Sequence, residues 1–550
     1  MSSSTTALEA DVCIIGSGPA AITVALQLAK TNASVILLTG GSPKETLANR
    51  DLYRGSAAEG STHEPLEENR RRQFGGASAA WGGRCIPFDP IDFEERPWIP
   101  ESGWPFGAGE IDPHYKEANR LCEAGDPVYD VRLLDPGHTE ILPGMDDDTM
   151  VSWPMERWSP PVNFGKHYLE TLQKAGNVRV MMDAHATGLR LAPDGSKIEC
   201  VDAVVPGSGS YRVSAKCFVL ACGGLENPRL LLASNDVARD GIGNHSDCVG
   251  RYYMSHLFGA TAEVRFRQPE KLIYDLERDR EGVYFRRRWW VTPETQRREE
   301  IGNAIMFLFR PLQSAAIHRD PLFSSVYLAN YLRGLVRSKN INTAMSRLKE
   351  DRQGLGEHAK VVVRDLPTFI PSAMKIAVHR FLKYRRLPFV LPPKKNNLFH
   401  LFYQTEHLPN RESRVTLADE IDSHGMPRLK AHVAFQEKDY ETVIAAHRIF
   451  TKRMSEGGYG EISIDLQALR ARLEGLPHAF NSGAHHIGTT RMSSDPAHGV
   501  VDPDCRVHHV ENLYIAGASV FPTSGHANPT LVLVALADRL GCHLRERLTS

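Results

Sequence analysis

Hydrophobic patterning is clearest at the two ends of the chain. Val12-Cys13-Ile14-Ile15 is an unbroken apolar run, the mark of a strand covered on both faces. Gly16-Ser17-Gly18-Pro19-Ala20-Ala21 follows directly, and apolar residues then recur at helical spacing to about Ala29. A second run, Ser34 to Leu38, completes a strand-helix-strand unit, which predicts a right-handed crossover and a parallel sheet. Toward the other end, Leu531 to Ala537 is apolar on every side, so a buried helix is expected there. In the middle, Val326 to Leu348 and Ser372 to Tyr384 show helical spacing with basic residues between apolar ones, and Leu387-Pro388 to Pro392-Pro393 ends the second. Tyr284 to Trp290 reads as a strand with arginines snorkelling at its edge.

The first glycine turn has the form G-x-G-x-x-A. Gly16 permits the tight turn, and Gly18 lets backbone approach a pyrophosphate. Ala21 supplies the small residue needed where helix meets strand, and the helix N-terminus faces the phosphates. This predicts dinucleotide binding; the alternative is a tight strand-helix turn with no ligand. The carboxylate expected at the end of the second strand is absent. Thr39 stands there, with a hydroxyl that offers a ribose one neutral hydrogen bond in place of stronger charge-assisted ones.

Length and composition narrow the class. The 550 residues are 42% hydrophobic and 24% charged, which fits a folded protein of about two domains, or one large α/β enzyme, and excludes a disordered chain. A net charge of -1 gives no global attraction for nucleic acid or anionic membrane. The nine cysteines are scattered and contain no C-x-x-C pair, so neither a disulfide framework nor a zinc site is predicted. The N-terminal residues lack a signal-peptide pattern and no run of 18 apolar residues occurs, so a cytoplasmic protein is expected. The segment 311–400 is an exception in charge, with sixteen Lys or Arg against five Asp or Glu. Helices covering the active site are the preferred reading. A solvated basic face, a peripheral membrane or partner surface, and an anionic substrate channel stay open.

Candidate chemistry gathers at the end of the chain: His485-His486-Ile487-Gly488-Thr489-Thr490-Arg491-Met492, then Asn512 to Ser519, then His526-Ala527-Asn528-Pro529-Thr530. Together with the opening turn and Phe74-Gly75-Gly76-Ala77-Ser78-Ala79-Ala80-Trp81-Gly82-Gly83, these motifs resemble the glucose-methanol-choline (GMC) family of FAD-dependent alcohol oxidoreductases, nearest its pyranose oxidase branch. The resemblance implies an α/β fold: a Rossmann-type FAD domain (9–60, 165–258, 478–548) interleaved with an α+β substrate domain on an antiparallel sheet (85–164, 259–477), with the basic helical insertion at about 311–400. It implies His485 as general base and Asn528 as its partner. FAD contacts fall on Gly16, Gly18, Ala21, Thr39, Gly76, Ser78, Gly517, Pro529 and Thr530, and substrate contacts on His486, His526 and Gln404. Ala80 occupies the position from which a histidine carries flavin covalently in some pyranose oxidases, so noncovalent FAD is expected.

The implied activity is oxidation of a CH–OH of a sugar, glycoside or cyclitol, with dioxygen or another electron acceptor. A neutral imidazole suits this chemistry because it accepts a hydroxyl proton near neutral pH. Plainer readings remain: Asn528 as an N-cap followed by proline, His485 as a hydrogen-bonded core histidine, and His526 as an exposed turn residue. At the level of the protein the alternatives are an FAD-containing lyase or decarboxylase, or a flavin-bound docking protein. No nucleic-acid partner and no bound metal are expected.

Overall fold

A computed structural model describes residues 5–59, 61, 63–309, 321–337, 352–390, 397–475 and 485–549. The opening apolar run extends to a ten-residue strand, Thr6–Ile15, paired in parallel with Val35–Leu38 on one side and Gly209–Leu220 on the other. Val178–Met181 and Leu513–Ile515 add further parallel strands, while Ile198–Val205 and His185–Leu191 pair antiparallel, completing a seven-stranded sheet. The helix Pro19–Leu28 packs on this sheet and against the C-terminal helix Thr530–Thr549. Leu531 to Ala537 is buried apart from Leu533, as its all-round apolar pattern predicts.

The C-terminal ends of the parallel strands converge on one crevice, the usual ligand position where such a sheet switches direction. Gly16 has φ 116°, and a Cβ there would stand 2.2 Å from the Ala221 carbonyl oxygen, so the turn admits only glycine. A Cβ on Gly18 would meet nothing within 4 Å, which leaves the crevice wall open where the helix begins. Ala21 is fully buried between helix and sheet and serves packing, not the crevice lining.

A second, six-stranded sheet is antiparallel throughout: Gly460–Ser463, His256–Phe266, Phe399–Glu406, Ala304–Phe309, Trp289–Val291, Met150–Val151. Its alternation sorts the two faces. Leu401, Tyr403, Met306 and Leu308 join the core with the helix Glu437–Glu456, whereas Phe258, Phe307, Phe309, Phe402 and Gln404 line the crevice. A four-stranded sheet, Glu277–Arg278, Tyr284–Arg287, Met155–Trp158 and Arg84–Cys85, sets Arg286 directly opposite Glu156.

Several expectations need correction. Tyr284 to Trp290 forms two strands, and its arginines are not at an edge: Arg286, Arg287 and Arg288 are buried and held by acidic partners. The hairpin Arg414–Ile421 with Pro427–His432, placed by sequence in the substrate domain, pairs in parallel with Gly55–Ala57, and its turn lines the crevice. In the basic insertion the described helices are Pro321–Arg337, Arg352–Arg364 and Leu366–Ala377, the last continued by the π-turn Val378–Leu382. Residues 311–320, 338–351 and 391–396 of that insertion, and 478–484 of the FAD segment, lie outside the described residues. No helix among the described residues is long and apolar enough to cross a membrane.

Candidate active site

The crevice is a cavity of about 770 Å³ that runs from the glycine turn to His485 and Asn528. Cavities of roughly 300–1,000 Å³ hold drug- and cofactor-sized ligands. Gly16, Gly18, Thr39, Gly76, Ser78, Gly517, Pro529 and Thr530 all line it. Two of the predicted hydroxyl contacts are already engaged. Thr39 Oγ1 bonds Ser17 Oγ at 2.6 Å and donates to the Gly41 carbonyl, and Ser78 Oγ donates to the Gly75 carbonyl and accepts the Phe164 N–H. What this end offers instead is Arg72. Its guanidinium lies against Gly40, and its buried Nε has no hydrogen-bond partner. Arg70, Arg72 and Arg229 surround Glu226; burial opposes that carboxyl's charge, but the three arginines outweigh it and hold its pKa down at about 2. An unpaired donor, an open helix start and a glycine-walled crevice suit an anionic dinucleotide.

At the opposite end four side chains interlock. Arg84 Nε donates to Glu156 Oε2 at 2.6 Å, and Arg84 Nη1 donates to Gln404 Oε1 (2.5 Å) and Asn528 Oδ1 (3.1 Å). Gln404 Nε2 donates to the same Asn528 oxygen and to the His526 carbonyl. Two donors on Oδ1 fix the Asn528 amide so that Nδ2 faces His485 Nε2 at 3.3 Å. His485 Nε2 must therefore accept, so the neutral ring carries its proton on Nδ1, which donates to His256 Nδ1 at 2.9 Å. That in turn places the His256 proton on Nε2, a buried atom with no partner. Burial first, then the charge of Arg84, lowers the His485 pKa to about 4, so the imidazole is neutral near pH 7 with its Nε2 lone pair toward the cavity end.

The surrounding charge is positive. Arg84, Arg286 and Arg288 face two carboxylates, Glu156 and Asp89. Desolvation, with the like charge of Arg84, outweighs the attraction of Glu156 and brings the Arg286 pKa down to about 10. This surplus favours any negative charge that develops here.

The structure brings His485, Asn528 and Gln404 together but revises three roles. Gln404 lines the cavity with both ends of its amide committed, so it positions Asn528. His526 is neither an exposed turn residue nor a lining residue; its ring is buried between Asp89 and Arg288. Asn528 does not cap the last helix, because the Leu533 N–H donates to the Pro529 carbonyl, which makes Pro529 the capping residue. His486 also lines the cavity, but its ring stacks on His63, away from the Asn528 pair. Sequence reasoning missed Arg84, Glu156, Arg286 and His256. For Arg84 the one local signal is its place directly after Gly82-Gly83. Among the described residues, the one trio spaced to hold a metal is His114, Asp538 and Cys542, outside the cavity lining.

Comparison with known proteins identifies the family and the fold. The family pattern described as "FAD dependent oxidoreductase" matches residues 11–305, more than half of the chain, and that described as "GMC oxidoreductase" matches 409–537. Paromamine 6'-oxidase of Streptomyces fradiae is 22% identical, over 96% of this chain and 90% of that protein. Fructose dehydrogenase large subunit of Gluconobacter japonicus is also 22% identical, over 97% of each. The crystal structure of pyridoxine 4-oxidase from Mesorbium loti superposes with a TM-score of 0.54 at 17% identity, covering 98% of this chain and 99% of that one, which shows a shared fold. The chain belongs to the GMC family of FAD-dependent oxidoreductases.

Proposed function

We propose that this protein oxidises a CH–OH group of a sugar, glycoside or cyclitol to the carbonyl. The observation that carries this reading is the His485 Nε2 lone pair held 3.3 Å from the Asn528 amide donor, at the end of a cavity that begins at the dinucleotide turn. Bound FAD supplies the hydride acceptor at flavin N5. The substrate hydroxyl displaces the Asn528 N–H from the single lone pair of His485 Nε2, which takes the hydroxyl proton, and the released Asn528 Nδ2 donor steadies the alkoxide oxygen within the field of Arg84. Arg84 also anchors the Asn528 amide, and His256 accepts the Nδ1 proton that keeps Nε2 available. The sugar-like substrate class draws support from the names of the two full-length relatives. Mixing the protein anaerobically with such alcohols and following flavin bleaching tests the reading.

The low His485 pKa sets the pH dependence. The base works unprotonated, so kcat/KM should stay level on the acid side of neutrality and fall only as pH drops through about 4. Arg84→Met removes a charge that lowers this pKa, so its acid limb should move upward, toward the ordinary histidine value of about 6.5. His256 is a positioning residue: His256→Leu should lower kcat by about 10–100-fold with KM unchanged, and His256→Asn, which retains an acceptor, should recover part of the loss.

On this reading FAD is held by Arg72 and the glycine turns, and without a covalent link at position 80, where alanine stands in place of a histidine. Arg72→Ala should weaken FAD binding by about 10–100-fold in fluorescence titrations, the loss of one charged hydrogen bond. Acid precipitation of the wild-type protein should leave the yellow colour in the supernatant.

A further inference from the structure

The basic insertion presents apolar side chains that nothing among the described residues covers. Eleven large hydrophobic residues of the described chain are exposed, and seven of them fall between 332 and 384: Leu332, Val363, Ile370, Met374, Val378, Leu382 and Tyr384. A concentration of this kind marks an interaction surface, whereas exposed apolar residues scattered singly need no explanation. Ile370, Met374, Val378 and Leu382 follow one another at intervals of four along Leu366–Ala377 and its π-turn, so they form a single row on that element. Met374 is 65% exposed and Leu382 78%. The helices Pro321–Arg337 and Arg352–Arg364, which pack beside it, contribute Leu332 and Val363.

Exposed cations flank the row. Arg380, Lys383 and Arg386 lie on or directly after the π-turn, within a segment holding sixteen Lys or Arg against five Asp or Glu. We propose that this face is a docking surface for an anionic lipid bilayer, entered by the apolar row and held by the cations around it. Charge decides the occupant. Apolar side chains that project from a helix with Lys and Arg beside them match the boundary between acyl chains and anionic headgroups. A protein hot spot, by contrast, needs pockets that seat single anchors.

The surface also connects to the cavity. Arg380 Nη1 donates to the carbonyls of Leu387 (2.6 Å) and Pro388 (2.7 Å), and Pro388 and Phe389 line the cavity, with Phe389 against Trp158 and Arg286. Tyr384 and Arg385 pin the same turn to Glu123. A bilayer on this face therefore meets the protein beside the turn whose Pro388 and Phe389 line the cavity. The surface is independent of the alcohol-oxidation reading.

Cosedimentation of the FAD-loaded protein with vesicles tests the assignment. Binding is expected to vesicles of phosphatidylcholine with about one third phosphatidylglycerol and not to phosphatidylcholine alone. It should weaken at least about tenfold when salt rises from about 0.1 to 0.5 M. Met374→Glu with Leu382→Glu should abolish it, as should Lys383→Glu with Arg386→Glu, while the flavin spectrum and turnover of a soluble substrate stay at wild-type level. Absence of binding to either vesicle overturns the proposal, as does equal binding to both. So does a wild-type oligomer that Met374→Glu with Leu382→Glu converts to monomer, because the row is then an interface between copies of this chain.

Discussion

Replacing His485 with alanine is expected to slow reduction of the bound flavin by an alcohol substrate by about 10²–10⁴-fold, with FAD still bound. The effect is large because, among the described residues, no other group at this end of the cavity is placed to take the proton. Asn528 offers donors on the facing atom, Arg84 is a cation, and His256 reaches only the far nitrogen of the same ring. The retained FAD separates this loss from misfolding, since His485 contributes no hydrogen bond to the glycine turn. Rapid mixing without oxygen, followed at the oxidised flavin band, measures the rate. The residual rate should climb with pH as hydroxide substitutes for the missing base.

Asn528→Ala is expected to cost about 2.7–4 kcal/mol of transition-state stabilisation, the value of one preorganised donor to a developing oxyanion. It also leaves Arg84 Nη1 and Gln404 Nε2 short of an acceptor, so part of the loss is structural. Asn528→Asp separates the two contributions. A carboxylate keeps both acceptor bonds but gives up the donor, so thermal stability should hold while kcat falls. The added negative charge beside His485 favours the imidazolium, so the acid limb of kcat/KM should move to higher pH. An Asn528→Asp enzyme with an unchanged rate and acid limb would remove Asn528 from the proposed mechanism.

The parts of this site that were legible in the sequence are those held by local backbone. Gly16, Gly18 and Ala21 follow from a turn in which strand, glycines and helix are neighbours along the chain, and each does there what its size dictates. His485 and Asn528 were legible through motif resemblance, and the structure brings them within 3.3 Å. Arg84 was not legible, because its partners Gln404 and Asn528 lie 320 and 444 residues away and nothing local marks an arginine that will anchor an amide. His256 opens a strand whose pattern is that of ordinary sheet, and it gains meaning only when that strand lies beside residue 485. The buried arginines 286–288 show the opposite failure: a basic run reads as surface until the acidic residues at 156, 277 and 89 are folded against it. The helix Arg352–Arg364 was missed because Gly354 and Gly356 interrupt its pattern near the start.

The most direct test of the account mixes the purified yellow protein with sugars, glycosides and cyclitols in the absence of oxygen, beside the His485→Ala variant. The account predicts that an alcohol from this set bleaches the wild-type flavin and yields one carbonyl per flavin reduced, while the variant, equally loaded with FAD, stays yellow over the same interval. Bleaching of the variant at the wild-type rate, or a wild-type flavin that stays oxidised with every alcohol offered, would contradict it.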